Sequence, residues 1–248
     1  MMFLKKTCVV AAAFLTASIF NHAAAQLTVS NIFSYQVIQR DSSSSTATFR
    51  DSGTCRSGAG KIQLLLTNQG SSSTVSGFSW VDLESVTING TSWKGTMSGL
   101  PVGGEYVARF RAINESGTVT DSSTSIQHLL VGDIWLCAGQ SNMQGTGGSN
   151  TDSTHVHTRV LWSGSGSSAG TATDNSAWGT GATNGPCMGF ANKIYSLTGV
   201  PIGIVYAASG GTSITDWFYS GSTGLFNKMS SCVLTAVKWN IGGFLWYQ

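Results

Sequence analysis

Charged residues are scarce in this chain of 248 residues. Asp, Glu, Lys and Arg make up 10% of it, whereas typical soluble domains carry about a quarter. The formal net charge is +2, and removing Lys5 and Lys6 with the N-terminal segment brings it to zero. A neutral chain lacks the basic surface that binding to nucleic acid or to an anionic membrane requires. We therefore expect neither partner.

Histidine and cysteine are also rare. The chain has four histidines, and none follows His157. Four of its five cysteines lie beyond residue 25, and their spacing fits no zinc pattern, so we expect no metal. If a disulfide forms, Cys187 with Cys232 is the preferred pair. Cys137 lies in an apolar run and is expected to be a buried free thiol.

Residues 1–25 have the features of a secretory signal. Lys5 and Lys6 precede an apolar stretch, and three alanines at 23–25 provide a cleavage site before Gln26. The apolar stretch is too short to span a bilayer comfortably. We expect cleavage there and a secreted or periplasmic protein without a membrane anchor, in a compartment where disulfides are permitted.

The rest of the chain divides into two regions with different rhythms. Residues 26–128 contain short alternating stretches separated by Ser, Gly and Asn turns, including the turn dipeptide Asn89-Gly90. This spacing predicts a β-sandwich segment. From residue 129 onward, the apolar runs 131–138, 202–207 and 241–247 alternate with helical patterns at 188–197 and 225–239. Apolar strands joined by helices predict a parallel sheet covered on both faces.

The polar residues that follow these three strands are the candidate site. In parallel sheets, ligands bind at the carboxyl ends of the strands. Ser141 follows the first strand and offers a nucleophilic hydroxyl, and Gly210 or Gly211 follows the second and can offer a backbone N–H to an oxyanion. Gln248 follows the third, and its amide can be a further donor. This combination of groups is the one that acyl transfer requires.

A long polar stretch, residues 145–186, separates the first strand from the first helix. It carries Trp162 and Trp178. A loop of this length is usually functional or disordered. The two tryptophans either stack against a sugar ring or cap the core, and the sequence favours neither.

Residues 131–143, which include Gly139-Gln140-Ser141-Asn142-Met143, resemble the nucleophile block of the sialate O-acetylesterase family. These proteins are SGNH-type carbohydrate esterases related to acetylxylan esterases. Three further segments resemble other blocks of the family in the same order, namely 33–41, 201–217 and 244–248.

The resemblance implies a flavodoxin-like α/β domain, spanning 129–248 here, that removes acetyl groups from sugar esters without a cofactor. It implies that Ser141 is the nucleophile, that Gly210 or Gly211 together with Gln248 are the oxyanion donors, and that Asn142 supports the nucleophile turn. The expected partner is an acetylated carbohydrate.

The family's base is a histidine near the end of the catalytic domain, preceded by an acidic partner. Nothing after Ser141 matches that pair, since His155 and His157 lie in the long loop. We expect Asp133 to be structural and Asp216 to begin a helix. The chain is therefore expected to be an incomplete catalytic domain, with its base beyond residue 248 and little activity of its own.

Two readings compete with the esterase. A non-catalytic carbohydrate-binding protein would keep the cleft and lack the base, and a structural β-sandwich module would carry the α/β part as a remnant. Within the esterase reading, the absence of an arginine cluster near the cleft mildly disfavours a carboxylated sugar.

Overall fold

The computed structural model describes the chain in seven stretches, which are residues 27–41, 44–145, 157–162, 178–179, 185–219, 224–237 and 240–248. The predicted signal segment 1–25 and His155 lie outside these residues. None of the helices within the described stretches is long and apolar enough to cross a membrane.

The first half of the described chain is built of strands. They are β1 (Val37–Gln39), β2 (Thr46–Thr54), β3 (Lys61–Asn68), β4 (Val81–Asp82), β5 (Glu84–Asn89), β6 (Ser92–Pro101), β7 (Gly103–Ile113) and β8 (Val119–Ser122). Strands β2, β6 and β5 form an antiparallel three-stranded sheet, while β3, β4, β7 and β8 belong to a larger sheet. The predicted turn at Asn89-Gly90 joins β5 to β6, where Gly90 takes a φ of 62°.

One apolar core lies between these two sheets. Alternate residues of β3 and β6 are buried, as expected of strands with one face on a core. The core takes Trp93, Met97 and Leu100 from the small sheet, and Ile62, Leu64 and Phe110 from the large one. Two layers that share a core in this way fit the all-β segment expected from the sequence.

A single long strand, β9 (Ile126–Gly139), connects this part to the rest of the molecule. Its first half pairs antiparallel with β7, and residues 130–132 pair parallel with β1. Its second half pairs parallel with the strands of the α/β part. The boundary predicted between residues 128 and 129 therefore falls inside a continuous strand.

The α/β part follows β9. Its elements are α1 (Ser141–Gln144), β10 (Thr158–Trp162), β11 (Trp178–Gly179), α2 (Pro186–Thr198), β12 (Ile202–Tyr206), a 3₁₀ helix (Ile214–Trp217), α3 (Leu225–Val237) and β13 (Gly243–Tyr247). Strand β12 lies on one side of β9 and β13 on the other, both parallel to it, and β10 lies outside β12. The predicted strands and helices of this region are thus confirmed.

Helices cover both faces of the parallel sheet. The first turns of α2 bury Cys187, Met188 and Ala191 against Ile204 and Tyr206 on one face. On the opposite face, Val233 of α3 packs with Leu136 and Val205. Helix α2 ends at Thr198, and Gly199 caps it in the left-handed conformation, with a φ of 68° and an N–H that donates to the Tyr195 carbonyl.

One sequence expectation is wrong. Trp162 and Trp178 do not lie in a continuous loop, because residues 158–162 form β10 and residues 178–179 form β11, which pairs with it at the edge of the sheet. No disulfide forms at Cys187, so the pair preferred in case of a disulfide, Cys187–Cys232, is absent. Cys187 is a free buried thiol and donates to Met143 Sδ at 3.2 Å. Cys137 is buried and free, as expected.

Candidate active site

Three loops meet at the carboxyl edge of the parallel sheet, as the sequence predicts. Strand β9 ends at Gly139, and the next N–H, that of Gln140, donates to the Tyr247 carbonyl of β13 at 3.0 Å. On the other side, the Ser209 N–H after β12 donates to the Gly139 carbonyl at 2.8 Å. Gln248 follows β13, and its side-chain amide donates to the Thr212 carbonyl in the loop after β12 at 2.7 Å.

Ser141 stands at the centre of this edge. It is the first residue of α1, and its half-buried hydroxyl donates to Gln140 Oε1 at 2.9 Å. An N–H at the first position of a helix has no acceptor within that helix, so it can donate to a negatively charged group that binds in front of the helix. The residue therefore presents a hydroxyl and an N–H from the same turn.

Gln144 is a member of the site that the sequence reasoning missed. Its Oε1 accepts a hydrogen bond from the Gly210 N–H at 2.6 Å, and its backbone carbonyl accepts one from the Tyr206 hydroxyl at 2.8 Å. One signal was available. Residues three positions apart on a helix lie on one side of it, so a polar residue three after Ser141 faces the same loop.

The two glycines of the second loop have different surroundings. A Cβ on Gly210 would overlap Gln144 Oε1 and lie 3.6 Å from the Ser141 Cβ, so this residue lies directly beside Ser141. Gly211 has a φ of 73°, and a Cβ there would meet nothing within 4 Å. Only Gly210 is packed against the nucleophile turn.

Two tryptophans that contact each other lie beside the loop that carries Gly210 and Gly211, and one of them bonds to it. The Trp217 indole N–H donates to Thr212 Oγ1 at 3.0 Å, and its ring meets that of Trp246 edge to face at 5.0 Å. Trp217 belongs to the 3₁₀ helix, whose start is closed by a capping box between Ser213 and Asp216. Asp216 is thus a helix-start residue, as expected. The loop is held by packing and hydrogen bonds on two sides.

The comparison with known families falls on this part of the chain. Residues 131–248 match the family described as "Carbohydrate esterase, sialic acid-specific acetylesterase". This segment belongs to that acetylesterase family. The match begins on β9 and includes every residue of the site just described.

One solved structure adds a likeness in fold. A carbohydrate acetylesterase from Xanthomonas citri matches the chain with a TM-score of 0.51 and 24% sequence identity, over 90% of this chain and 51% of that one. A protein from Arabidopsis thaliana gives a TM-score of 0.36 and 23% identity, over 47% of this chain and 57% of that one. The chain thus spans about half the length of the Xanthomonas protein. No curated protein matches by sequence.

Cys137, which lies on β9 four residues before Ser141, is not a candidate nucleophile. Its hydrogen bond with Cys187 and its burial raise the pKa of the Cys137 thiol far above its ordinary value. A thiol needs to be a thiolate to react. Burial likewise raises the pKa of the Tyr206 hydroxyl, so that group stays a neutral donor to Gln144.

Neither of the two histidines in the described stretches lies at the carboxyl edge. His157 precedes β10, at the opposite end of the sheet, where its Nε2 lies 3.2 Å from the Gly104 carbonyl oxygen. His128 stacks on Tyr35, and its Nδ1 lies 3.2 Å from a Glu105 carboxylate oxygen. In these stretches, Ser141 has no imidazole beside it.

Other expected residues have mixed outcomes. Asp133 pairs with Arg40 at 2.7 Å where β9 enters the parallel sheet, which is a structural position. The exposed Asn142 side chain makes no hydrogen bond to the described residues, whereas Gln140 accepts one from the Ser141 hydroxyl and Gln144 one from the Gly210 N–H. The side chains of Trp162 and Trp178 lie outside what is described. Across the described residues, no three metal-ligating side chains come together.

Proposed function

We propose that the protein is a carbohydrate O-acetylesterase that uses Ser141 as its nucleophile. The observation that carries the proposal is the meeting of Ser141, Gly210, Gly211 and Gln248 at one edge of the sheet, within a segment of the acetylesterase family. Ester hydrolysis requires a hydroxyl and oxyanion donors together in this way.

The proposed chemistry begins with attack of Ser141 Oγ on the acetyl carbonyl carbon. The Oγ–C bond forms, the hydroxyl proton passes to a general base, and negative charge develops on the former carbonyl oxygen. The Ser141 N–H, a glycine N–H of the 207–213 loop and the second hydrogen of the Gln248 amide stabilise that charge. The sugar oxygen leaves with a proton, and water then releases acetate from Ser141.

The rest of the proposal concerns architecture and location. Strands β12 and β13 flank β9 in a parallel sheet, β10 lies outside β12, and helices cover both faces of this sheet. This supports an SGNH-type α/β domain at 129–248, with a β-sandwich segment before it. We place the mature protein outside the cytoplasm, and an N-terminus at Gln26 in protein recovered from the medium or periplasm would test that.

A non-catalytic carbohydrate-binding protein is the second candidate, and one observation favours it. In the described stretches, the Ser141 hydroxyl donates to the amide of Gln140, and both histidines lie away from the edge. A protein with the cleft and without a base would bind acetylated sugars and leave them intact.

Acetate release by the product of the complete reading frame separates the two candidates. The substrates are acetylated xylan and an O-acetylated sialic acid, and the variants are Ser141→Ala and, as a matched control, Ser196→Ala. The Ser196 hydroxyl bonds only to the Lys193 carbonyl on α2, among the described residues. We expect Ser141→Ala to lower the rate by at least about a thousandfold and the control to leave it unchanged.

Two results would change the conclusion. Acetate release that survives Ser141→Ala refutes the serine mechanism. Saturable binding of acetylated sugar by the parent protein without any acetate release establishes the binding function instead.

A further inference from the structure

The two neighbouring N–H groups of the glycine loop have different surroundings. The Gly210 N–H is bound to Gln144 Oε1 at 2.6 Å. The Gly211 N–H has no acceptor in the described part of the chain, and a Cβ built on that residue would meet no atom within 4 Å. A substrate oxygen would have to displace Gln144 Oε1 to reach the Gly210 N–H. It would displace no described acceptor to reach the Gly211 N–H.

Gln144 is itself held in place. Its N–H donates to the Gln140 carbonyl at 2.9 Å, and its carbonyl accepts from the Tyr206 hydroxyl at 2.8 Å. Tyr206 is 2% exposed. The amide therefore starts from a fixed backbone, and its reach to Gly210 joins the nucleophile turn directly to the glycine loop.

The bond from Gly210 completes a series of attachments. The loop is tied to β9 by the Ala207 N–H to the Cys137 carbonyl and by the Ser209 N–H to the Gly139 carbonyl, both at 2.8 Å. The donors that face β9 alternate along the chain, at 207 and 209, so the Gly210 N–H is not directed at that strand. Gln144 Oε1, from the turn that follows β9, is its acceptor.

We infer that Gln144 is a positioning residue, which holds the loop through the Gly210 N–H so that the Gly211 N–H is the donor to the oxyanion. This inference rests on the proposed esterase function. It chooses between two glycines that the sequence left equivalent. It also gives Gln144 an effect on turnover without any contact to the substrate.

Two variants of Gln144 test the inference. Gln144→Met keeps the length of the side chain and removes the acceptor, whereas Gln144→Glu keeps an acceptor oxygen for Gly210. We expect Gln144→Met to lower kcat about tenfold to a hundredfold, as a small misplacement of a donor does, and to leave KM within about threefold. Amide hydrogen exchange followed by NMR should show Gly210 protected in the parent and in Gln144→Glu, and unprotected in Gln144→Met.

A phosphonate adduct on Ser141 tests the choice of glycine, because its oxygen mimics the oxyanion. The Gly211 amide proton should move downfield on adduct formation, and the Gly210 proton should keep its position. A shift at Gly210, or a rise in kcat in Gln144→Met, would show that Gln144 blocks the true donor and would overturn the inference. Unchanged Gly210 protection in Gln144→Met would overturn it as well.

Failure of the proposed function gives a different pattern. If acetate release by the parent does not depend on Ser141, the esterase proposal fails and the choice of Gly211 fails with it. The exchange experiment needs no turnover, so it still decides whether Gln144 holds the loop.

Discussion

Gly139→Ala should damage both stability and the site. Gly139 ends β9 with a φ of 133°, and a Cβ there would overlap the Tyr247 carbonyl oxygen of β13. That carbonyl accepts the Gln140 N–H, so a methyl group at 139 forces β13 away and breaks this bond. A strained backbone costs about 1–3 kcal/mol, and a lost hydrogen bond costs about 1 kcal/mol. We expect the free energy of unfolding to fall by about 2–4 kcal/mol.

Urea unfolding followed by circular dichroism measures this loss. The matched control is Gly117→Ala, where φ is 81° and a Cβ would meet nothing within 4 Å. In that variant the backbone is strained but the new methyl group overlaps no atom, so the free energy of unfolding should fall by only about 1 kcal/mol. Equal losses in the two variants would refute the reasoning, because the contact between β9 and β13 would then contribute nothing. The rate of acetate release should also fall in Gly139→Ala, since Gln248 directly follows the displaced strand.

Three further predictions follow from the same structure. A double-mutant cycle with Arg40→Ala and Asp133→Ala should give a coupling energy of about 2 kcal/mol in unfolding experiments, because the ion pair is bidentate and mostly buried. Additive effects of the two substitutions would contradict this. Burial raises the pKa of Asp51, so its contribution to stability is present below the unfolded pKa of about 3.9 and is lost as pH rises through the folded pKa. Asp51→Asn should therefore gain stability relative to the parent across that interval, and a pH-independent difference would argue against it. Gln248→Ala should lower turnover about a hundredfold if its amide meets the oxyanion, and a normal kcat would remove it from the mechanism.

Much of the site could be predicted because it depends on local patterns. Apolar runs of strand length predict β9, β12 and β13, and a parallel sheet brings the residues after them to one edge. Ser141 and the glycines of the second loop follow from that placement alone. Asp216 likewise follows from the preference of acidic residues for helix starts.

The remaining features depend on contacts between distant segments. Strands β10 and β11 lie in a stretch rich in Gly, Ser and Thr, so no periodicity separates them from a loop. The continuity of β9 across residues 126–139 depends on pairing with β7, β12 and β13, because no local signal spans both halves. The role of Gln144 depends on where the Gly210 N–H stands, which only the folded loop determines.

The most direct test of the account is to trap the nucleophile. The product of the complete reading frame is treated with a fluorophosphonate, digested, and analysed by mass spectrometry for the modified residue. The account predicts a single adduct on Ser141, formed at a rate that acetylated sugar slows by competition. An adduct on another residue would contradict the account. A protein that releases acetate, although the fluorophosphonate leaves its Ser141 unmodified, would contradict it as well.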